Sequence, residues 1–314
     1  MLVSCRHKGS GDGNVESKTS LLRFEQVMFD TPADQLQQRL IHDSSLYACS
    51  LLNIVPHNPQ YMTQVADMAQ DTIMRVIYNT VLQQYGDLSW LQEEISAAIE
   101  KAQQMDDDIR CDKIITFISG LLDYTHRIVA DDGVILIALD QYAVPYFEKY
   151  GYFQLPSYLV ELCQRQNIVP DAIAALTRAN IVLPDGDMSL LDYMIAEGKV
   201  QYVLDNVLPS TADTLKLRYN ESQLEWARHN EGKVWAYWIQ NGLLFEKDYK
   251  SIFNFVEDAP KTNAFGDSAP RMTDFIGRKI VAQYMKKSGS TLKELLQNSD
   301  SKEILKVSGW KPKR

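Results

Sequence analysis

Apolar side chains recur every three or four residues along most of the chain, which is the period of an amphipathic helix. Residues 21–50 show this pattern, with Thr31 as a predicted N-cap and Pro32 at the first helical position. From about residue 140 onward, helical segments are separated by Pro, Gly and Asn. The remaining predicted helices cover residues 60–84, 91–105, 156–166, 170–180, 188–207, 220–242, 248–257, 272–287, 291–298 and 300–306.

The period changes in the middle of the chain, where two short runs are rich in β-branched and apolar residues. Residues 113–119 predict one strand and residues 134–139 a second, buried strand, with residues 127–129 as a further candidate. Neither a long linker nor a repeat of fixed period is visible, which argues against a solenoid. We therefore expect a mostly helical α+β fold with a small sheet, forming a single domain over residues 21–314.

Composition is that of a globular protein, and it excludes several classes. Hydrophobic residues make up 45% of the 314 positions, which allows a buried core and excludes wholesale disorder. The net charge of −9 argues against a general nucleic-acid binder, which needs a basic face. No apolar run reaches the roughly 18 residues that cross a bilayer.

Cysteine usage excludes a disulfide-dense scaffold and a cysteine-based zinc finger, because the four cysteines contain no CxxC pair. Cys49, Cys111 and Cys163 lie in apolar surroundings, so we expect buried free thiols. One disulfide remains an alternative if the protein is exported.

The fourth cysteine, Cys5, stands in a different context at the start of the chain. Leu2-Val3-Ser4-Cys5 resembles the bacterial lipobox, in which the thiol receives a diacylglycerol and the peptide is cut before the cysteine. Residues 5–20 then form a polar stretch rich in Gly and Ser, typical of a flexible tether. We expect residues 1–4 to be the remnant of a signal peptide whose true start lies upstream. The alternative is a short cytosolic N-terminus with an incidental cysteine.

Longer blocks across the central and C-terminal thirds resemble one family. In this order and spacing, the chain is similar to the gliding motility lipoprotein GldB family of the Bacteroidota, over about residues 20–312. The resemblance implies an exported lipoprotein anchored to the membrane through lipid on Cys5, at the periplasmic side or the outer membrane. It also implies protein partners in the cell envelope, near the type IX secretion machinery. The blocks are residues 114–120, 137–142, 190–199, 223–231, 234–235, 269–271 and 276–285.

That family is distantly similar to predicted zinc proteases, which hold zinc through an HExxH helix and a Glu from a later helix. Glu197 would be that third ligand here. The chain contains no HExxH, however, and no two of its five histidines are four residues apart. We therefore expect a non-catalytic protein without metal or small-molecule cofactor, and the resemblance implies a zincin-like fold. The alternative is a divergent metallopeptidase-like hydrolase that uses Glu197, Asp171 and His229.

Four polar residues are candidates for a vestigial or structural site, and each has a plainer interpretation. Glu197 is either a relic ligand or a carboxylate paired with Lys or Arg, and the adjacent Gly198 suggests a close backbone approach within a helix. Asp140 follows the second strand, where a carboxylate either lines a site or caps the next helix. His229 is expected to be a hydrogen-bonded structural residue. Glu231 shares a helix face with Trp235 and Trp238, which is either a recognition groove or an aromatic core stripe with Glu231 held by a cation.

Two charged segments complete the set of candidates. The acidic run at residues 106–108 lacks the alternating spacing of a calcium loop, so we expect a solvated loop. Residues 302–314 contain five Lys and Arg against one Glu. This terminus either contacts anionic headgroups or an acidic partner, or it is simply solvated.

Overall fold

The sheet has four strands, three of which run parallel. The computed structural model describes residues 19–47, 52, 54–121, 127–147 and 156–312. Strands β1 (Ser20–Arg23), β2 (Lys113–Phe117), β3 (Ile128–Asp131) and β4 (Val134–Ala138) lie in the order β1-β2-β4-β3. β1, β2 and β4 are parallel, while β3 is an antiparallel edge strand beside β4. β4 is buried along its whole length, as its apolar sequence predicts.

The two predicted strands and the further candidate at residues 127–129 are confirmed as β2, β4 and β3. β1 differs from the prediction, which gave helix from residue 21. This four-residue strand runs directly into a helix, and its parallel partner β2 is about ninety residues away. The spacing of apolar residues within residues 20–23 gives no information about a pairing with a strand so distant in sequence.

Helices make up most of the rest of the described chain, so the mostly helical α+β class is confirmed. Between β1 and β2 they are α1 (Phe24–Asp30), α2 (Ala33–His42), α3 (Pro59–Gln70), α4 (Thr72–Gln84) and α5 (Ser89–Met105). After β4 they are α6 (Val144–Phe147), α7 (Ser157–Leu162), α8 (Ile168–Ala179), α9 (Leu190–Val207), α10 (Asp213–Leu217), α11 (Glu221–Gln240), α12 (Tyr249–Val256), α13 (Met272–Ser288), α14 (Leu292–Gln297) and α15 (Ser301–Ser308).

The predicted helix positions hold best after residue 185, where α9 and α11–α15 begin and end within about two residues of the predicted bounds. One predicted helix start and one predicted continuous helix are wrong. Thr31 ends α1 and is not an N-cap, and Pro32 precedes α2. The predicted helix over 60–84 is two helices, because Asp71 adopts an extended backbone and its side chain caps α4 by accepting from the Met74 amide at 2.9 Å.

The core joins the sheet to the C-terminal helices through α8 and α9. α8 packs on β3 and β4, α5 contacts both α8 and α9, and α9 crosses α13 over a long interface. Gly198 of α9 and Gly277 of α13 meet at this crossing. A Cβ on Gly277 would lie 2.0 Å from the Met194 carbonyl oxygen, and one on Gly198 would lie 2.5 Å from the Gly277 carbonyl. The close approach suggested by Gly198 is therefore present.

Cys111 and Cys163 are buried free thiols, as predicted, and burial raises the pKa of Cys111 to about 12. Cys49 lies outside the described residues, as do Cys5 and nearly all of the predicted tether. Among the described helices, none is both long and apolar enough to cross a bilayer.

Candidate functional site

A group of buried and half-buried charged side chains lies where α8 meets the turn after α10 and the start of α13. We call it the arginine–carboxylate cluster. It combines side chains from five separate parts of the chain, and its charges are paired within hydrogen-bonding or ion-pair distance. Its members are Arg127, Asp171, Arg218, Asp258, Arg271 and Asp274.

Asp171, in the first turn of α8, contacts side chains that come from the sheet and the turn after it. Arg127 Nε lies 3.2 Å from Asp171 Oδ2, and the Tyr142 hydroxyl donates to the same oxygen at 2.8 Å. Burial, reinforced by the Asp171 charge, raises the pKa of Tyr142 well above its ordinary value. The phenol therefore stays protonated and acts as a donor. Arg218 Nε approaches the other carboxylate oxygen at 3.9 Å.

Asp258 bridges the two arginines on the other side. Its oxygens lie 3.1 Å from Arg218 Nη2 and 3.0 Å from Arg271 Nε. Arg271 also donates to Asp274 Oδ2 at 2.8 Å and to the Leu217 carbonyl at 2.7 Å. Both arginines have left-handed backbones, with φ of 58° and 41°. Such conformations are costly for side chains with a Cβ, and here they occur at helix ends, since Arg218 ends α10 and Arg271 precedes α13.

A cavity of about 290 Å³ lies beside the cluster. Arg218, Arg271 and Asp258 form its charged wall, and Asn167 and Tyr219 also line it. The Tyr219 hydroxyl donates to the Pro270 carbonyl at 2.7 Å, which fixes the chain just before Arg271. Polar and apolar residues share the lining of the cavity, and its arginines already face carboxylates.

Glu197 of α9 pairs with Arg178 of α8, adjacent to the cluster. Arg178 Nε and Nη2 donate to the two carboxylate oxygens at 2.8 and 2.7 Å. Burial would raise the pKa of Glu197, but the charge and hydrogen bonds of Arg178 hold it below the usual value. Burial also raises the pKa of the neighbouring Asp274, to about 7, against the opposing effect of Arg271. Glu197 is thus a paired carboxylate, the plainer of its two interpretations.

The structure does not bring the predicted site residues together. His229 is exposed on α11, where its Nδ1 lies 2.9 Å from the Glu225 carbonyl oxygen one turn earlier. Within the described residues, the one group of three potential metal ligands is Asp106, Asp107 and Asp108, and Glu197 is not part of it. Asp107 and Asp108 are exposed, while Asp106 is buried.

Asp140 follows β4 at the end of the sheet where Arg127 also lies, and it holds a loop. Its carboxylate accepts from the amides of Ser119 and Leu121 at 3.0 and 2.9 Å, and from the Ser119 hydroxyl at 2.9 Å. Gly120 and Leu121 both have positive φ, so the carboxylate stabilises a tight turn after β2. Asp140 therefore caps this earlier loop, an arrangement that neither sequence interpretation included.

Glu231 is buried on α11 and pairs with Lys279 of α13. Trp238 is fully buried and packs edge-on against Trp235 at 6.5 Å between ring centroids. Trp235 in turn packs edge-on against Trp310 at 5.1 Å. This arrangement matches an aromatic core stripe with its glutamate held by a cation.

Sequence reasoning missed most of the cluster. Arg271 stands in one of the blocks that carry the family resemblance, and Asp171 opens a predicted helix. No pattern in the sequence links them to Arg127, Arg218 or Asp258. The pairing depends on tertiary contacts between distant segments.

Comparison with known proteins identifies the family. The sequence model described as gliding motility protein GldB matches residues 7–312, nearly the whole chain. The chain belongs to the GldB family. Neither a curated protein nor a solved structure matches this chain. The family assignment confirms the resemblance found in the sequence, while the more distant similarity to zinc proteases stays a prediction.

Proposed function

We propose that this GldB-family chain is a lipid-anchored, non-catalytic component of the gliding and type IX secretion machinery in the cell envelope, acting through protein contacts. The observation that carries the non-catalytic part is the pairing of Asp171 and Glu197 with arginines. The family match supports the role in gliding motility.

Arginine pairing opposes metal-dependent hydrolysis on electrostatic grounds. A carboxylate that binds zinc needs a free oxygen, and a carboxylate base needs access to water. Arg178 occupies both oxygens of Glu197, and Arg127 and Tyr142 contact Asp171. Guanidinium groups at these positions would also repel a divalent cation. A zincin-like fold with a lost metal site remains our proposed origin of this arrangement.

The anchor is supported by the sequence around Cys5. A lipobox-like segment followed by a polar tether is how bacterial lipoproteins begin. Two or three acyl chains make membrane attachment stable, whereas a single chain does not. The tether would let the domain reach envelope partners while the lipid stays in the bilayer.

Mass spectrometry of the protein purified from its host membrane tests the anchor. We expect a mature N-terminal peptide that begins at Cys5 with attached diacylglycerol. A Cys5→Ala variant should lose the lipid and leave the membrane fraction, while Cys49→Ala should behave as wild type. An unmodified Cys5 within a longer or uncut N-terminus contradicts the anchor.

Complementation and metal analysis test the non-catalytic role. Deletion of the gene should disturb gliding or secretion, and Glu197→Gln should restore both, because the substitution removes a charge but keeps the side-chain shape. Purified protein should contain no stoichiometric zinc. Tightly bound zinc, together with failure of Glu197→Gln to complement while still folded, would favour the hydrolase.

A further inference from the structure

The end of the chain carries a strong excess of positive charge. Residues 278–314 contain ten Lys and Arg against three Asp and Glu, a net charge of +7, although the whole chain has a net charge of −9. The preceding 277 residues therefore carry −16. Arg278, Lys279 and Lys293 of this segment are paired with carboxylates elsewhere in the chain, so the attraction for anions comes from the remaining lysines.

Four lysines of this region line one open groove of about 680 Å³ on α13, which we call the lysine groove. Lys279, Gln283, Lys286 and Lys287 are spaced so that they share one side of α13. Ala282 lies between them, and its small side chain leaves room for a ligand. The lining residues are Glu231, Lys279, Ala282, Gln283, Lys286, Lys287, Trp310 and Lys311.

The second wall of the groove comes from the residues after α15. Gly309 ends this helix with a left-handed backbone, φ 54°, and a Cβ there would lie 2.7 Å from Lys287 Nζ. The Trp310 amide donates to the Ser308 hydroxyl at 3.1 Å. With its ring against Trp235, Trp310 places Lys311 beside the lysines of α13.

Most of the positive charge in the groove is not neutralised by the protein. Glu231 pairs with Lys279. No described carboxylate lies within ion-pair distance of Lys286, Lys287 or Lys311, and all three are exposed. Three adjacent ammonium groups without counter-charges repel one another, and a bound anion relieves this repulsion.

We infer that the lysine groove docks on the phosphate-bearing headgroups of anionic phospholipids. The choice of a bilayer over an acidic protein rests on the proposed lipid anchor, because the tether would hold the domain close to headgroups. Lysine clusters bind anionic membrane surfaces, and Trp is favoured at the depth of the headgroups. The groove would add an electrostatic contact to the covalent anchor and orient the domain on the membrane.

Vesicle cosedimentation tests this inference with the full chain carrying Cys5→Ser, so that no lipid contributes. We expect binding to vesicles of phosphatidylglycerol and phosphatidylethanolamine, weakening as salt increases, and little binding to phosphatidylcholine alone. Lys286→Glu/Lys287→Glu should weaken binding by at least about tenfold. The control, Lys247→Glu/Lys250→Glu, makes the same charge change at exposed lysines outside the groove and should bind as wild type.

Three results would overturn the inference. Equal binding to phosphatidylcholine would show that binding does not depend on the charge of the headgroup. An unchanged affinity of the Lys286→Glu/Lys287→Glu variant, with native circular dichroism, would show that these lysines do not bind the vesicle. Binding to polyglutamate without binding to anionic vesicles would show that the lysine groove binds an acidic protein and not a membrane. Lys311→Glu, on the other wall, provides a second variant and should also weaken binding. Because the tested chain lacks lipid, failure of the anchor would appear only in the mass spectrum of the native N-terminus.

Discussion

At the scale of single residues, Gly277 sets how closely α13 approaches α9. In an exposed helix, replacing Gly by Ala stabilises the protein by about 1 kcal/mol. Here we expect the opposite sign, because the new methyl group would collide with the Met194 carbonyl. Gly277→Ala should lower the free energy of unfolding by roughly 2 kcal/mol or more, measured by urea denaturation.

Ala282→Gly provides the control on the same helix. Ala282 is exposed, so its replacement should cost only the helix propensity, about 1 kcal/mol. A Gly277→Ala variant as stable as wild type would show that α9 and α13 can move apart without a loss of folding free energy.

Lys199 is a buried lysine whose ammonium donates to the Asn298 carbonyl oxygen at 2.7 Å. Burial lowers its pKa from 10.5 to about 8. Above pH 8 the folded protein holds this site neutral, while the unfolded chain remains protonated up to about pH 10. Wild-type stability should therefore rise by about 1 kcal/mol between pH 7 and pH 9 from this group.

Lys199→Met should remove that rise and should be at least as stable as wild type at pH 7, because no charge is buried. Urea unfolding at the two pH values measures both effects. Lys293→Met, at an exposed lysine paired with Asp108 at 2.5 Å, is the control and should keep the wild-type rise. If the free energy of unfolding of Lys199→Met rises with pH as it does in the wild type, then burial does not lower the pKa of Lys199 and the prediction is wrong.

Sequence alone identified some of these residues and not others. A glycine inside a helical pattern is visible locally, so the close approach at Gly198 could be predicted. Its partner Gly277 lies almost eighty residues later, and its contact with Gly198 was not predicted. The left-handed arginines 218 and 271 were also missed, because neither is a glycine or asparagine, the residues that mark a positive φ in a sequence.

At the scale of elements, the pair of Arg127 and Asp171 fastens the edge strand β3 to α8. Arg127→Met would leave a buried carboxylate without its main counter-charge, at a cost of about 3 kcal/mol. Asp171→Asn keeps the contact with the Tyr142 hydroxyl but removes the charge. The double variant should cost less than the sum of the single variants, by about 1–3 kcal/mol in a double-mutant cycle.

The exposed pair of Arg110 and Asp132 offers a matched comparison in the same part of the chain. Its atoms lie 2.8 Å apart, but both side chains are more than half exposed. The same cycle there, with Arg110→Met and Asp132→Asn, should give a coupling below about 1 kcal/mol. Equal coupling in the two cycles would argue that burial adds nothing to the Arg127 pair.

Elements were predictable where local signals are strong. Capping residues and apolar periodicity marked α9 and α11–α15 closely, because these helices carry their own start and stop signals. β1 was not predictable, since it has only four residues, none of them β-branched or aromatic, and it runs directly into α1. The division between α3 and α4 was missed because a single extended residue, Asp71, does not interrupt the apolar pattern.

At the scale of the molecule, the sequence predicted the fold class and the family more readily than the polar site. The family model matches nearly the whole chain, so errors in the prediction of single elements do not change the family assignment. The arginine–carboxylate cluster depends on the folded arrangement of segments from Arg127 to Asp274. Its chemistry could therefore be judged only after the backbone had placed these side chains together.

The continuous core predicts that the sheet and the C-terminal helices unfold together. α8 contacts both β3 and α9, and α9 packs against α13, so loss of either half exposes apolar surface of the other. Four of the five Trp residues, at positions 226, 235, 238 and 310, report on the C-terminal helices, and the buried thiol of Cys111 reports on the sheet. Urea midpoints from Trp fluorescence and from labelling of the Cys111 peptide, quantified by mass spectrometry, should coincide. Two separated midpoints would instead divide residues 21–314 into two domains, and the buried contacts of α8 would then be too weak to couple them.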